Sequence, residues 1–193
     1  MNFLAHIFLT KHDEAWMVGN YLADLLKNKD LESLPIPIRQ GVMLHRKIDS
    51  FTDSHPLVQY STRLLHEKHH KYANVLMDVF YDYLLYQNWH RYGKQDFIDF
   101  KIETYEVLQR YLPSIPKPLQ PRTLAMIEHD WLTSYTSEKG IYHTFEHIKK
   151  RASKPELFEG SVDSLKQHFQ PLNEHFNLFF PDLMRFVNNY SAE

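Results

Sequence analysis

Three pairs of polar side chains, each pair four residues apart, interrupt otherwise apolar stretches of the sequence. They are Asn20 and Asp24 in MVGNYLADLL, His45 and Asp49 in GVMLHRKIDSFTDSHP, and Asp78 and Asp82 in VLMDVFYDYLL. Residues four apart share one face of a helix, so each pair points in one direction. An ionised carboxylate is costly to bury without a partner. The pairs therefore require a cation, a proton or solvent.

The donor atoms of these pairs suit a divalent metal ion. Asp53 extends the line of His45 and Asp49 by one more turn, and Arg46 lies one step around the helix. Imidazole with carboxylates is a ligand set for manganese, magnesium, iron or zinc. Facing helices can hold such an ion, which polarises a phosphoryl oxygen and lowers the pKa of bound water to about 7. Arg46 would then bind a phosphate oxygen. The alternative is that all three pairs are structural.

The elements that must position these side chains are helices. The 5 glycines are few, and prolines gather in LPIPI (34–38) and LPSIPKPLQP (112–121), which leaves long segments without a breaker. Apolar residues recur at spacings near 3.6. We expect an all-α fold, a single-domain helical bundle over residues 1–193 with about seven to nine helices. The predicted ranges are 12–28, 38–53, 56–70, 73–91, 94–112, 121–136, 139–152, 161–180 and 182–190.

Composition excludes several classes of function. Lys plus Arg number 22 against 24 Asp plus Glu, so the net charge of -2 gives no overall attraction to nucleic acid or an anionic membrane. Without cysteine there is no disulfide, thiolate metal site or cysteine nucleophile. No apolar run reaches the ~20 residues that span a bilayer, and MNFLAHIFLTKHDE lacks the features of a signal peptide. We expect a cytoplasmic protein with no nucleic-acid partner.

Other motifs compete more weakly for a catalytic role. HTFEH at 143–147 matches the H-x-x-E-H pattern of one metalloprotease class, but it adjoins IKKRASK on a helix predicted to face solvent. Glu67 and His70 supply only half of a di-iron carboxylate motif. The His-Asp dipeptides at 12–13 and 129–130 stand in polar surroundings. There is no G-x-S-x-G elbow or Walker loop, so we expect hydrolysis without a protein nucleophile.

Four ordered segments resemble one known family. MNFLAH at 1–6, GNYLAD at 19–24, GVMLHRKIDSFTDSHP at 41–56 and LMDVFYDYLLYQNW at 76–89 resemble the acyl carrier protein phosphodiesterase family. The second half of the chain is similar chiefly in length, helical character and a WLTSY segment at 131–135. The resemblance implies a helical fold related to the HD-domain phosphohydrolases. It also implies a manganese-dependent cytoplasmic hydrolase that removes 4′-phosphopantetheine from holo acyl carrier protein, by attack of metal-activated water.

Carried over by position, the resemblance assigns roles to individual residues. The implied metal ligands are His6, Asp24, His45, Asp49, Asp78 and Asp82. The implied catalytic residues are Asp24, Arg46 and Asp49. The implied substrate-binding residues are Asn2, Asn20, Arg46 and Asp53. Magnesium, iron or zinc are alternatives to manganese. The alternative functions are a metal-dependent phosphohydrolase of a nucleotide or other small phosphate ester, and a non-catalytic helical binding protein.

Overall fold

All regular structure in the described part of the chain is helical. The computed structural model describes residues 1–10 and 12–190, apart from the side chain of Asn28. Eleven α-helices and several short 3-10 segments occur there, with no strand, which confirms the all-α expectation. The helices are α1 Phe3–Thr10, α2 Glu14–Leu22, α3 Ile36–Ser54, α4 Pro56–His69, α5 Ala73–Gln87, α6 Trp89–Tyr92, α7 Phe97–Arg110, α8 Gln120–Glu128, α9 Glu138–Lys149, α10 Ser161–Gln167 and α11 Phe169–Tyr190.

The eleven α-helices exceed the expected seven to nine because α1 was not predicted and the predicted helix 73–91 divides at Asn88 into α5 and α6. FLAHIFLT in α1 is apolar almost throughout, so it shows no helical period. The predicted helix 121–136 instead ends at Glu128, since Asp130 adopts a left-handed conformation with φ 48°. The division expected at Pro181 lies at His168 instead, and α11 continues through the proline. The expected domain of 1–193 also includes residues 11 and 191–193, which lie outside the described part.

Helix α5 lies in the centre of the core. Leu76, Phe80 and Leu84 have no accessible surface. The ring of Tyr81 stacks on Phe179 of α11 with 5.5 Å between the ring centroids. A helix that is apolar nearly all round is a buried one. The carboxylate of Asp82 on α5 is therefore fully buried, whereas that of Asp78 remains partly exposed. Within the described ranges, no helix combines the length and apolarity needed to cross a membrane.

Two glycines allow the backbones of α2 and α3 to touch. A Cβ added at Gly19 would lie 1.9 Å from the main-chain oxygen of Ile38, and one added at Gly41 would lie 2.2 Å from that of Trp16. Neither distance is compatible with a side chain unless the backbones move apart. Gly19 directly precedes Asn20, and Gly41 is four residues before His45. The crossing therefore sets the distance between the polar residues of α2 and those of α3.

We expect Gly41→Ala to destabilise the protein by about 1–3 kcal/mol or more, because the added methyl group overpacks a backbone contact. The midpoint of urea unfolding measures this change. The exposed neighbour Gln40 provides a matched control, since Gln40→Ala should stay within about 0.5 kcal/mol of the wild type. Equal midpoints for the two variants would contradict the close contact.

Candidate metal centre

Two histidines and an aspartate from α1 and α3 form a compact cluster. His6 Nε2 lies 3.1 Å from Asp49 Oδ1, and His45 Nε2 lies 3.1 Å from Asp49 Oδ2. The two imidazole rings are stacked, with 3.9 Å between their centroids. One ligand atom from each residue lies within 4.8 Å of the other two, and the described residues contain no other such group of three. The cluster could hold a metal ion.

Asn20 orients the ring of His45. The amide oxygen of Asn20 is 2.8 Å from His45 Nδ1, while its NH₂ group donates to the main-chain oxygen of His6 at 3.0 Å and to Thr10 Oγ1 at 3.3 Å. An amide oxygen can only accept, so Nδ1 carries a proton and Nε2 is directed at Asp49. Hydrogen bonds of this kind fix the ring orientation of histidines that bind metal ions. Asn20 thus holds the His45 ring through the nitrogen that faces away from Asp49.

Asp24 lies at the open side of the cluster. It follows the end of α2, and its Oδ1 is 3.2 Å from His45 Nε2. The Asp24 side chain is 49% exposed, so its carboxylate is accessible from solvent. Arg46 is also exposed and follows His45 in α3, about 100° around the helix.

Burial and charge shift the pKa values of the cluster in opposite directions. Burial lowers the pKa of His45, but Asp24 and Asp49 outweigh it and raise that pKa to about 9. Burial and the neighbouring His45 lower the pKa of His6 to about 4. Burial opposes ionisation of Asp49, yet its contacts with both imidazoles lower its pKa below the usual range. A cation that binds here must therefore displace the proton of His45.

The buried nitrogens of His6 test whether a metal ion fits. Neither His6 Nδ1 nor His6 Nε2 has a hydrogen-bond partner of adequate geometry, although Asp49 Oδ1 is only 3.1 Å from Nε2. Buried polar atoms in native proteins are nearly always satisfied. A divalent ion between the imidazoles and the carboxylate would satisfy Nε2, and nitrogen with oxygen ligands suits manganese, magnesium, iron or zinc alike. The residues fit a metal ion without defining which one.

Asp78 lies beside the cluster but contacts a different cation. Its Oδ1 is 2.8 Å from the α-amino group of Met1, which is 4.0 Å from Asp49 Oδ1. Burial would lower the pKa of that amino group, but Asp78 and Asp49 outweigh it and raise the pKa to about 10. The ammonium thus separates the carboxylate of Asp78 from the histidines. Local sequence spacing carries no signal of this contact, because Met1 and Asp78 are 77 positions apart.

Asp82 is placed at the start of α1 rather than in the cluster. It is fully buried, and its carboxylate accepts hydrogen bonds from the backbone N–H groups of Asn2 at 3.3 Å, Leu4 at 2.7 Å and Ala5 at 3.1 Å. Burial raises its pKa to about 7, although the Met1 ammonium and the N–H groups oppose the shift. Both oxygens of Asp82 are occupied by these bonds. Its role here is to anchor the helix that carries His6.

The remaining residues expected to bind substrate lie around the cluster. The side-chain oxygen of Asn2 accepts from the backbone N–H of Phe3 at 3.0 Å, so it caps the first turn of α1. Asp53 is exposed near the end of α3, one turn beyond Asp49. The structure brings Asn20, Asp24, His45, Asp49 and His6 into mutual contact and places Asp53 and Asn2 outside that group.

The competing motifs lie apart from this cluster. The histidines of the 143–147 segment are exposed on α9, and Glu67 and His70 are also exposed. Asp13 accepts from the backbone N–H of Trp16 at 2.9 Å and caps α2. Asp130 binds the ammonium of Lys101 at 2.6 Å. In the described part of the chain, none of these groups forms a cluster of metal ligands.

Comparison with known proteins gives one consistent result. A family model described as acyl carrier protein phosphodiesterase matches residues 1–183. A protein named acyl carrier protein phosphodiesterase from Yersinia pestis is 28% identical over 186 residues, which cover 96% of both chains. Proteins of the same name from Yersinia enterocolitica and Escherichia coli are 29% and 26% identical, over 95% of this chain and 96% of theirs. No solved structure matches the chain significantly.

We expect Asp82→Ala to destabilise the protein by roughly 3 kcal/mol or more, because three N–H groups at the start of α1 lose a charged acceptor. Asp82→Asn should cost less, since its amide oxygen can still accept. Gln87→Ala is the matched control from the same helix, because Gln87 is exposed at the end of α5. Urea unfolding measures all three variants. A loss for Asp82→Ala no larger than that for Gln87→Ala would contradict the anchoring role.

Proposed function

The chain belongs to the acyl carrier protein phosphodiesterase family, and on that premise we propose that it hydrolyses holo acyl carrier protein in the cytoplasm. The products are the apo carrier protein and 4′-phosphopantetheine. The observation that carries the proposal is the cluster of His6, His45 and Asp49, in which buried imidazole nitrogens converge on one carboxylate beside an open rim.

Four residues would hold the metal ion. His6, His45 and Asp49 supply the inner ligand atoms, and Asp24 adds a carboxylate on the open side. We propose Mn²⁺ as the ion, with Mg²⁺, Fe²⁺ or Zn²⁺ as alternatives of the same ligand preference. When bound, such an ion polarises a phosphoryl oxygen and lowers the pKa of a water molecule. Asp78 and Asp82 are not proposed as ligands, because their carboxylates already bind Met1 and the start of α1.

The protein residues then position the phosphodiester and handle its protons. The guanidinium of Arg46 would bind a phosphate oxygen at the rim, where two planar donors match the geometry of the anion. Burial opposes ionisation of Asp24, but His45 outweighs it and lowers the pKa of Asp24, so the exposed carboxylate is ionised and would accept a hydrogen bond from the attacking water. Asn20 keeps the His45 ring in the orientation that directs Nε2 at the open side.

The openness of the site favours a substrate on a protein surface. The side chains of Asp24, Asp49 and Asp78 remain 49%, 41% and 43% exposed. A small phosphate ester is usually held in a concave pocket that buries most of its surface. A phosphodiester attached to a folded carrier protein needs a rim that the carrier can approach. Hydrolysis of a nucleotide or other small phosphate ester is therefore the second candidate function. The third is that of a non-catalytic binding protein.

We expect incubation with holo acyl carrier protein and Mn²⁺ to yield the apo form, measured by intact mass. A chelator should abolish the change. Asp49→Ala should reduce the rate at least about a hundredfold, because even indirect partners of a metal ion are worth 10–100-fold. Asp163 in α10 is exposed and gives a matched control, since Asp163→Ala should retain full turnover. Turnover of nucleotides but not of carrier protein would support the second candidate function. Binding of Mn²⁺ without any turnover would support the third.

We expect Arg46→Lys to lower kcat/KM for holo carrier protein by about tenfold or more, because an ammonium cannot reproduce the two-donor contact with phosphate. Mn²⁺ affinity, measured by calorimetry, should be unchanged. The next residue, Lys47, is exposed and provides the control, since Lys47→Ala should leave kcat/KM unaltered. If Arg46→Lys lost Mn²⁺ binding while its phosphate affinity was retained, Arg46 would be a structural residue instead.

A further inference from the structure

A polar cleft lies where α3, α4 and α5 meet. It has a volume of about 280 Å³. Its lining residues are Asp53, Val58, Gln59, Thr62, Arg63 and Asn74. This volume lies just below the range of typical small-molecule sites, and an α-helix with a diameter of about 10 Å could not enter it. The cleft therefore suits a slender group rather than a folded segment of a partner.

The cleft adjoins the candidate metal centre along two helices. Asp53 is four residues after Asp49 in α3, so it lies one helical turn from a residue of the centre, and Asn74 is four residues before Asp78 in α5, which lies beside the centre. A group bound at the centre can extend into the cleft.

The chemistry of the lining is that of an amide-binding surface. Gln59 is exposed, and its NH₂ group donates to the main-chain oxygen of Asp53 at 3.2 Å, which orients the side chain. The amide of Asn74 offers an acceptor and two N–H donors, that of Gln59 an acceptor and its second N–H, and the hydroxyl of Thr62 can donate or accept. Val58 is buried and supplies an apolar wall between them.

We propose that this α3–α4–α5 cleft binds the pantetheine arm of the substrate, with Gln59, Thr62 and Asn74 as its hydrogen-bonding residues. The inference rests on the proposed function. The arm is a slender chain of amide groups, a hydroxyl and a dimethyl-substituted carbon, which matches the donors, acceptors and apolar wall of the cleft. The carrier protein is too large to enter, so it stays on the opposite side of the phosphate. With the arm held in the cleft, the P–O bond to the carrier protein is the one that breaks, and the phosphate leaves with the arm.

Binding of the product tests the inference without any turnover. In the presence of Mn²⁺, the wild-type protein should bind 4′-phosphopantetheine more tightly than inorganic phosphate, as measured by calorimetry. The double variant Thr62→Val and Asn74→Ala should weaken 4′-phosphopantetheine binding about tenfold or more, because two hydrogen bonds are lost. Phosphate binding should not change. Asn74→Trp, which fills the cleft, should have the same effect. Gln87→Ala, an exposed glutamine on α5, is the matched control.

Two results would overturn the inference. One is equal affinity of the wild type for 4′-phosphopantetheine and phosphate, and the other is unchanged affinity for 4′-phosphopantetheine in both cleft variants. Unfolding midpoints of the variants should match the wild type, because Asn74 is exposed and Thr62 is only half-buried. Arm-dependent binding without hydrolysis of holo carrier protein would support the cleft and refute the proposed function, so the two failures are distinguishable.

Discussion

The buried carboxylate of Asp82 is the interaction on which the rest of the site depends. It projects from the central helix α5 and accepts hydrogen bonds from the backbone N–H groups at the start of α1. Those N–H groups have no partners within their own helix, and a negative charge there also favours the helix dipole. The bond fixes the position of α1 and hence of His6, whose ring stacks on His45. The crossing at Gly19 and Gly41 then fixes Asn20 behind His45.

Each positively charged group at the centre lies between two carboxylates. The Met1 ammonium lies between Asp78 and Asp49, and His45 lies between Asp49 and Asp24. Each pair lowers the cost of keeping a charge partly out of water. The raised pKa of His45, about 9, means that this arrangement already favours a positive charge at the point where a metal ion would bind. A divalent cation that binds there would replace this proton.

Sequence spacing predicted the polar residues of the site better than it predicted their partners. The pair His45 and Asp49 was visible because both belong to one helix, as were Asp78 and Asp82. Spacing could not show that Asp78 and Asp82 have different partners. Asp82 is bonded to residues 77 to 80 positions away, and Asp78 is bonded to the α-amino group of Met1. Helix α1 was missed because a buried helix lacks a polar face. Such contacts depend on tertiary packing, which local periodicity does not encode.

The excess of carboxylates at the open side explains why a metal ion belongs to the proposed chemistry. Asp24, Asp49, Asp53 and Asp78 all lie at or near the rim. The Met1 ammonium and the protonated His45 offset two of these negative charges, and Arg46, next to His45 in α3, carries a third positive charge. A divalent cation that replaces the proton of His45 adds one further positive charge and would remove the remaining excess of negative charge. Because a phosphodiester is an anion, we expect under the proposed function that the bound cation strengthens its binding.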